Sequence, residues 1–469
     1  MTAQSTGSDA AFRVADRLKV DAPWEVFGQR IRRFEIHLNG TEVEMVRGPI
    51  TLEGYGLRLL RTHGKKTGAG FQASTDFSDA GIRAAAADAE SVARHSEFPA
   101  AKVELPSHGG TAGEISIVDA RLWADPLSAV EQYVAEIARG FAHRKDVGPS
   151  FGSVRATLSE TSIANSAGLK AAFPQTSVEF EIAIKSSGGP EGAAPGEYWV
   201  NELSRRLEPE KLPAEIDDWC RFAADGRHAS MPPTGELPVI LPAGVLTGIL
   251  PAVFGFKFTG AARLRKIAPQ KGDSVAAPTV TISDDGLYPW SPSTTPVDGE
   301  GSPRGGRPLI SKGQVAGLLY DSLHAGAFDT GSTASASRAT NPIGYTDWRE
   351  FSRAPAVTTS TIAVATGDGG SDAELIEAAR DGIWVQQLGW AIPDPISGAF
   401  GGEVRMGYRI RNGKLAEPVR GGTVGGTVMA PPGKPSLLQN IAGIGKSATL
   451  SDRVAAPTIL VRSLTVAGA

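Results

Sequence analysis

Two stretches of the chain alternate apolar and polar residues with a period of two, and each meets an Asn-Gly pair. In the first, the alternation from Phe34 to Leu38 meets Asn39-Gly40 and resumes from Val43 to Met45. In the second, the alternation from Val404 to Ile410 ends at Asn412-Gly413. A period of two places every second side chain on the same face of a strand, and Asn-Gly favours a two-residue hairpin turn. The chain is therefore expected to build antiparallel sheet near both ends.

Helical segments separate these groups of strands. Asp125-Pro126 combines an N-cap residue with proline at the first helical position, and apolar residues from Leu127 to Phe141 follow at helical spacing. Ser371 and Glu374 form a capping box, and an alanine-rich helix is predicted from Ser78 to about Ala93. Strands joined by hairpins, with helices between the groups, predict an α+β fold. We expect an N-terminal α/β region of mixed hairpins and helices, followed by a C-terminal domain dominated by antiparallel sheet.

The length of 469 residues corresponds to two or three domains at about 150 residues each. The stretch 225–235 is rich in Gly, Pro and small polar residues and is the predicted linker. We predict a disordered N-terminus over residues 1–22, an N-terminal α+β domain over 23–230, with subregions of about 23–100 and 110–228, and a β-rich C-terminal domain over 236–469.

Charge and cysteine content exclude several classes of protein. The formal net charge is −4, which argues against a sequence-independent grip on nucleic acid. A single cysteine excludes an intrachain disulfide and a zinc site of four thiolates. Residues 1–20 show no signal-peptide pattern, and no stretch approaches about 18 uninterrupted apolar residues. We therefore expect a cytoplasmic protein that binds neither nucleic acid nor membranes.

The histidines are too far apart in sequence for a local zinc site. The chain has 7 of them, and no two lie close enough to share a helix face: His37, His63, His95, His108, His143, His228 and His324. A helix with two histidines one turn apart is the strongest short signal of a metalloprotease. Cys220 follows Trp219 in a helical pattern, and we interpret it as a small buried apolar residue.

Acidic residues cluster in an irregular, glycine-rich stretch. The candidates are Asp284 and Asp285, followed by Asp298 and Glu300. Neighbouring carboxylates of this kind bind a hard cation or work as an acid–base pair. Asp-Gly is also a common turn former, and turn chemistry is the preferred interpretation of both pairs.

One face of the strand near residue 405 is rich in arginine. Arg405, Arg409 and Arg411 alternate with the apolar residues and would suit a carboxylate or phosphate ligand. The outer, solvated face of a half-buried sheet has the same pattern, and we prefer that interpretation.

Several motifs, taken in order, resemble the TldD/PmbA family, whose members are also called modulators of DNA gyrase. The resemblance runs from about residue 23 to the C-terminus, and it rests on the combined order of the motifs. The N-terminal motifs are Gly54-Tyr55-Gly56-Leu57-Arg58 and Gly68–Thr75, the central ones are Asp298–Pro303, Pro308–Ile310 and Lys312-Gly313, and the C-terminal ones are Ser397–Phe400, Arg411–Lys414, Pro418-Val419 and the glycines within 421–426.

The resemblance places this chain with the branch of the family that lacks zinc. The TldD branch carries HExxxH on a helix and a cysteine ligand near its C-terminus. Here Pro251 and Phe256 stand at the histidine positions, Ala252 at the glutamate position and Ile444 near the cysteine position. Side chains of Pro, Phe and Ile cannot ligate zinc. The pattern is similar to the TldE, or PmbA, branch, which implies neither a catalytic residue nor a metal ligand in this chain.

The resemblance implies a function as the zinc-less subunit of a heterodimeric metallopeptidase complex. Its partner would be a TldD-like HExxxH subunit that holds the zinc. The complex would cleave unstructured or modified peptides inside the cell. Whether this chain is itself an enzyme stays open at this point.

Glycine-rich strands let another backbone approach closely, and an extended peptide can add itself to an exposed sheet edge. We therefore expect the segment 398–407 to form one wall of a peptide cleft. The candidate residues of this cleft are Gly398, Phe400, Gly401, Gly402 and Arg405.

Two other functions remain as alternatives. The chain would be a stand-alone hydrolase if Asp284, Asp285, Asp298 or Glu300 held a metal ion. It would be a protein-binding modulator without proteolytic function if the older family name, which refers to gyrase, describes its activity.

Overall fold

The structure is a computed structural model, and it describes residues 9–109, 115–187, 195–339, 348–389, 391–430 and 434–469. The N-terminal half consists of one antiparallel sheet and its helices. The strands are β1 (Trp24–Asn39), β2 (Glu42–His63), β3 (Lys66–Ser74), β4 (Val147–Asn165), β5 (Lys170–Ser186) and β6 (Gly196–Ser204), in the order β3-β2-β1-β4-β5-β6. The helices are α1 (Ala10–Ala15), α2 (Asp79–His95), α3 (Ala120–Ala124), α4 (Pro126–Phe141) and α5 (Leu212–Asp225).

The predicted hairpin at Asn39-Gly40 is the turn between β1 and β2, where Asn39 pairs with Glu42. Gly40 has a φ of +60°, in the left-handed region that a side chain disfavours. The two strands of this hairpin form the centre and one flank of the sheet, and β1 also pairs with β4 along its length. The alternation read from the sequence therefore fixes which face of the sheet each side chain occupies.

One face of this sheet is covered by helices. Tyr55, Leu57 and Leu59 of β2 pack with α1 and α2, whereas Val154 of β4 and Phe180 of β5 pack with α4 and α5. The opposite face of the sheet, with Arg58 and the odd-numbered residues of β4, is turned toward the C-terminal half. This division of faces positions the site described below.

Helix α1 replaces part of the disorder that we predicted for residues 1–22. Residues 1–8 lie outside the described residues, but Ala11 and Val14 of α1 are completely buried against the sheet. The prediction relied on small and polar composition. The prediction did not take into account that Ala and Val at this spacing give the helix an apolar side, which packs on β1 and β4.

The C-terminal half contains a larger, mixed sheet with short helices around it. The strands of this half are β7 (Gly235–Leu241), β8 (Ile282–Asp285), β9 (Gly306–Ser311), β10 (Gln314–Val315), β11 (Ala336–Ser337), β12 (Ala356–Val357), β13 (Ile362–Val364), β14 (Gly382–Gly389), β15 (Ala399–Arg411), β16 (Lys414–Val419), β17 (Thr423–Thr427), β18 (Ile441–Ser451) and β19 (Val454–Ala467). All of them belong to the large sheet except β11 and β12, which pair with each other in a separate two-stranded sheet. The helices of this half are α6 (Ala243–Leu246), α7 (Leu250–Lys257), α8 (Gly260–Leu264), α9 (Ser322–Ala327) and α10 (Asp372–Ala379), with a 3-10 turn at Glu350–Ser352.

Five of these strands close into a ring, because β7 pairs with both β14 and β19 while β15 and β17 connect the other two. The pairings β14–β7 and β13–β19 are parallel, and the others in this sheet are antiparallel. The α+β prediction is thereby confirmed, with antiparallel pairing dominant in both halves. Among the helices of the described ranges, none is long and apolar enough to cross a membrane.

Hydrophobic clusters span the two halves, and the larger of them surrounds α5. Phe222 of α5 lies between Tyr198 of β6 and Tyr408 of β15, with ring centroids 4.9 and 6.5 Å away. Met406 and Ile410 of β15 belong to the same buried cluster. Helix α5 is therefore packed against both sheets, and burial of its apolar side stabilises the association of the halves.

Glycines in β3 allow helix α2 to lie directly on the sheet. A Cβ atom at Gly70 would lie 1.8 Å from the carbonyl oxygen of Ala89 and 2.6 Å from the amide nitrogen of Ala93. No side chain larger than hydrogen fits there unless the helix moves away. The Gly68–Thr75 motif therefore has a packing role.

We expect Gly70→Ala to lower the free energy of unfolding by at least about 1–3 kcal/mol, because the methyl group overlaps main-chain atoms. The matched control is Gly148→Ala in β4 of the same sheet, where an added Cβ atom meets nothing within 4 Å. Urea unfolding followed by circular dichroism measures both variants. Equal midpoints for the two variants would show that α2 does not constrain β3.

Candidate functional site

A cavity of about 610 Å³ lies between the two halves of the protein. One wall is the face of the N-terminal sheet that carries no helices. The opposite wall comes from α6, α7 and the loops of the C-terminal half. A volume of this size is typical of clefts that bind ligands.

The period-two pattern of β5 builds the first wall. Val178, Phe180 and Ile182 are buried in the core, and the residues between them, Glu179 and Glu181, line the cavity. Gln175 and Ser177 continue the same row, and Arg155 and Thr157 of β4 stand beside it. This wall is polar although it is shielded from bulk solvent by the other half of the protein.

A buried ionic network centred on Arg58 joins the two halves. Its Nη2 donates to Oε2 of Glu25 at 2.9 Å, and its Nη1 donates to Oε1 of Glu300 at 2.7 Å. Arg338 donates to the second oxygen of Glu25 and to the carbonyl oxygen of Gly299. All four charged side chains are at most 3% exposed. Two cations and two anions thus neutralise each other across the boundary between the halves.

Burial disfavours the charged form of each side chain in this network, whereas the ion pairs favour it. The balance of the two effects sets the direction in which each pKa shifts. Although desolvation lowers the pKa of Arg58, the carboxylates of Glu25 and Glu300 outweigh it and raise that pKa above its usual value. Burial raises the pKa of Glu300, and Arg58 offsets part of that increase. Glu300 also accepts hydrogen bonds from the main-chain nitrogen and the hydroxyl of Ser322, at 2.8 and 2.6 Å. Both of its oxygens therefore accept hydrogen bonds from the protein.

Asp298 has the turn role that we preferred for it. Its Oδ1 accepts hydrogen bonds from the nitrogens of Glu300 and Ser302, at 3.0 and 2.9 Å, and its Oδ2 accepts one from Ala336. The turn continues through Gly301, which has a φ of +92°. The Asp298–Pro303 motif therefore holds Glu300 in place for Arg58.

Asp284 and Asp285 lie at the end of β8, and each has its own donors. Oδ1 of Asp284 accepts from the nitrogen and the hydroxyl of Ser360, at 2.6 and 2.8 Å, and Asp285 accepts from Leu287 at 3.0 Å. Burial raises the pKa of Asp284 to about 6. Across the described ranges, no group of three His, Cys, Asp or Glu side chains is arranged to hold a metal ion.

The three arginines of β15 do not form a single anion site. Arg411 pairs with Glu417, and Arg405 lies 3.1 Å from Glu403. Arg409 is half-buried, and its Nε and Nη1 have no hydrogen-bond partner among the described residues. The solvated-face interpretation thus describes Arg405 and Arg411 better than it describes Arg409.

The five candidates for the peptide cleft lie on β15 and the turn before it, but none is among the described residues that line the cavity. One edge of β15 pairs with β17 from Ala399 to Glu403, and the other edge pairs with β14 from Glu403 onward. On the β14 side, only Ala399 to Gly402 has no strand pairing in the described part of the chain. That length is too short for an extended peptide to add itself as a full strand. The cleft-wall hypothesis for these residues stays a prediction.

Helix α7 carries three of the residues that the resemblance sets at the positions of the zinc motif. Pro251 is buried, Ala252 lines the cavity, and the guanidinium of Arg265 lies 5.3 Å from the ring centroid of Phe256. Ile444 of β18 is 3% exposed and belongs to the C-terminal core. Cys220 is likewise buried in the core between the halves, and burial raises the pKa of its thiol.

Sequence reasoning missed the residues that form the cavity. The alternation of Val178, Phe180 and Ile182 with polar residues is visible in the sequence, but such a polar face normally faces solvent. Arg58 has a clearer signal, since a charge interrupts the apolar run from Leu57 to Leu60. A buried partner of opposite charge is what such a position requires.

Sequence profiles of one family match both halves of the chain. The profile of the PmbA/TldA metallopeptidase C-terminal domain matches residues 234–468, and that of PmbA/TldA metallopeptidase domain 1 matches residues 24–93. The chain is 26% identical over 198 residues to a metalloprotease TldD homolog of Haemophilus influenzae. That match covers 42% of this chain and 39% of the relative, so it spans well under half of the relative's length.

Two solved structures have the same fold along nearly the whole chain. TldE from Thermococcus kodakarensis superposes with a TM-score of 0.77 at 20% identity, covering 97% of this chain and 98% of that one. A structure described as a modulator of a DNA gyrase from Thermotoga maritima gives a TM-score of 0.77 at 18% identity, covering 95% and 96%. At these identities the likeness concerns the fold.

We expect Arg58→Met to lower the free energy of unfolding by about 3–5 kcal/mol, because it leaves Glu25 and Glu300 with too little positive charge in a buried site. The double variant Arg58→Met/Glu300→Gln removes one of these charges and should recover part of the loss. Urea unfolding at pH 7 measures both variants. A double variant no more stable than the single one would contradict the charge balance described here.

Asp284 provides a prediction about pH. Its pKa is raised to about 6 by burial, so the folded protein holds the proton more tightly than the unfolded chain. The stability contributed by the protonated form is present below about pH 4 and is lost as the pH rises to about 6. Asp284→Asn should therefore stabilise the protein more at pH 7.5 than at pH 4. The difference in the free energy of unfolding should be on the order of 2–3 kcal/mol.

The control for this measurement is Asp285→Asn at the adjacent, half-buried position. Both variants are unfolded in urea at pH 4 and pH 7.5. If Asp284→Asn changed the free energy of unfolding by the same amount at both pH values, the carboxyl group would not titrate as described.

Proposed function

Because this chain belongs to the PmbA/TldD family of metallopeptidase-related proteins, we propose that it is the zinc-less subunit of a heterodimeric metallopeptidase complex. Its partner is a TldD-like subunit that carries HExxxH and the catalytic zinc. The complex works in the cytoplasm and cleaves unstructured or modified peptides. The structural likeness to TldE supports the choice of branch at the level of the fold.

The observation that carries this proposal is the chemistry of the four positions that correspond to the zinc motif. Pro251, Phe256 and Ile444 offer no nitrogen, thiolate or carboxylate to a metal ion. Ala252 offers no carboxylate to take a proton from water. The carboxylates of Asp298 and Glu300, the other candidates near the cavity, already accept hydrogen bonds from the protein. A subunit without its own zinc is the simplest function for such a chain.

The cavity supports a role in binding peptide. It lies between two halves that are fixed by α5 and by the Arg58 network, so its shape is pre-formed. Ala252, which stands at the glutamate position of the zinc motif in this proposal, lines the cavity. In this proposal the zinc-less chain retains the space in which a catalytic subunit would hold a substrate, and uses it for binding.

The proposal predicts that the purified chain contains far less than one equivalent of zinc and does not cleave an unstructured peptide such as casein fragments. When it is co-expressed with a TldD-like HExxxH chain, the two should co-elute in size-exclusion chromatography as a 1:1 complex with peptidase activity. The control is a complex in which the partner's HExxxH glutamate is replaced by glutamine; it should assemble without activity.

Stoichiometric, tightly held zinc in the isolated chain, measured by plasma mass spectrometry, would contradict the proposal. So would full peptide cleavage by this chain in the absence of any partner.

A further inference from the structure

Two side chains of the N-terminal wall of the cavity, Glu181 and Trp199, indicate the kind of ligand that the cavity takes. Two arginines of the lining, Arg205 and Arg338, are occupied by the protein itself. Arg205 donates to the carbonyl oxygens of Thr176, Ser291 and Thr294, and Arg338 belongs to the buried network. These cations are therefore not available to an anionic ligand.

Two glutamates of β5 face the cavity, and they differ in how well they are paired. Arg33 donates to both oxygens of Glu179, at 2.9 and 3.2 Å. Glu181 has only Arg155 within 4 Å, at a distance of 3.9 Å, and Arg155 lies equally far from Glu179. Glu181 is thus a partly buried carboxylate, 13% exposed, without a close hydrogen-bond donor among the described residues.

An exposed aromatic ring lies beside this carboxylate. Asn201 of β6 pairs directly with Glu181, and Trp199 is two residues along the same face of the strand. Trp199 is 40% exposed, and it lines the cavity together with Glu181 and Asn201. Side chains at such diagonal positions are within reach of one another. A carboxylate beside an open indole ring is an arrangement that favours a cation.

The opposite wall of the cavity leaves room for the main chain of a bound molecule. Gly244, Gly248 and Ala252 all line it, and all three are small. Small residues allow another backbone to approach closely.

We propose that the cavity binds an extended peptide carrying a lysine or arginine, with its cationic side chain between Glu181 and Trp199. This inference rests on the proposed function for the choice of a peptide. The carboxylate of Glu181 accepts hydrogen bonds from the ammonium or guanidinium group, and the indole ring covers its alkyl stem. Arg155 competes with the ligand for Glu181, so it limits the affinity.

The test is isothermal titration calorimetry on the full chain without any partner. The probes are three blocked heptapeptides, identical except for a central lysine, norleucine or glutamate. The lysine peptide should bind at least about tenfold more tightly than the norleucine peptide, and the glutamate peptide more weakly still. Glu181→Gln should remove the advantage of lysine. Arg155→Met should increase it, an opposite effect that a general loss of folding cannot produce.

The control variant is Glu104→Gln, which makes the same charge change at a side chain that is 76% exposed and away from the cavity lining. It should leave all three affinities unchanged. Equal affinities for lysine and norleucine, or no binding of any of the three peptides, would overturn the inference. These results are separate from the proposed function, because complex formation and zinc content are measured without these peptides.

Discussion

Arg58 is the residue on which the arrangement of the two halves depends. It stands in a central part of the N-terminal sheet and pairs with Glu25 of the same sheet and Glu300 of the other half. A buried charge is costly unless it is paired and hydrogen-bonded, so neither half can release the other without exposing or stranding these groups. The turn formed by Asp298 keeps Glu300 in position, and helix α5 adds an apolar contact between the halves.

The cavity is a consequence of this arrangement. The network and α5 hold the two halves together at separate places, and the space that remains between them has one polar wall and one wall of small residues. Ala252, which the resemblance sets at the glutamate position of the zinc motif, lies at the second wall. The chain has the architecture of the PmbA/TldD family, and we propose that it uses the cavity for binding. This combination is the basis of the proposed role as a zinc-less subunit.

Local patterns in the sequence predicted the hairpins and helix starts correctly, because alternation, Asn-Gly turns and caps act within a few residues. The capping box at Ser371 and the β1–β2 turn are examples. The site was harder to predict, because its residues meet only in three dimensions. Glu300 looked like a turn residue or metal ligand, but its partner Arg58 is 242 positions away. Gly54 and Gly56 looked like part of a strand motif; their role is to leave room for Phe351.

The central claim is that the Arg58 network joins the two halves into one cooperative unit. Hydrogen–deuterium exchange with mass spectrometry tests it most directly, by comparing peptides that cover β1 with peptides that cover residues 298–302. Because the amides of Glu300 and Ser302 are hydrogen-bonded inside the network turn, both regions should be strongly protected and should exchange at similar rates. Rapid exchange of residues 298–302 while β1 stays protected would contradict the claim.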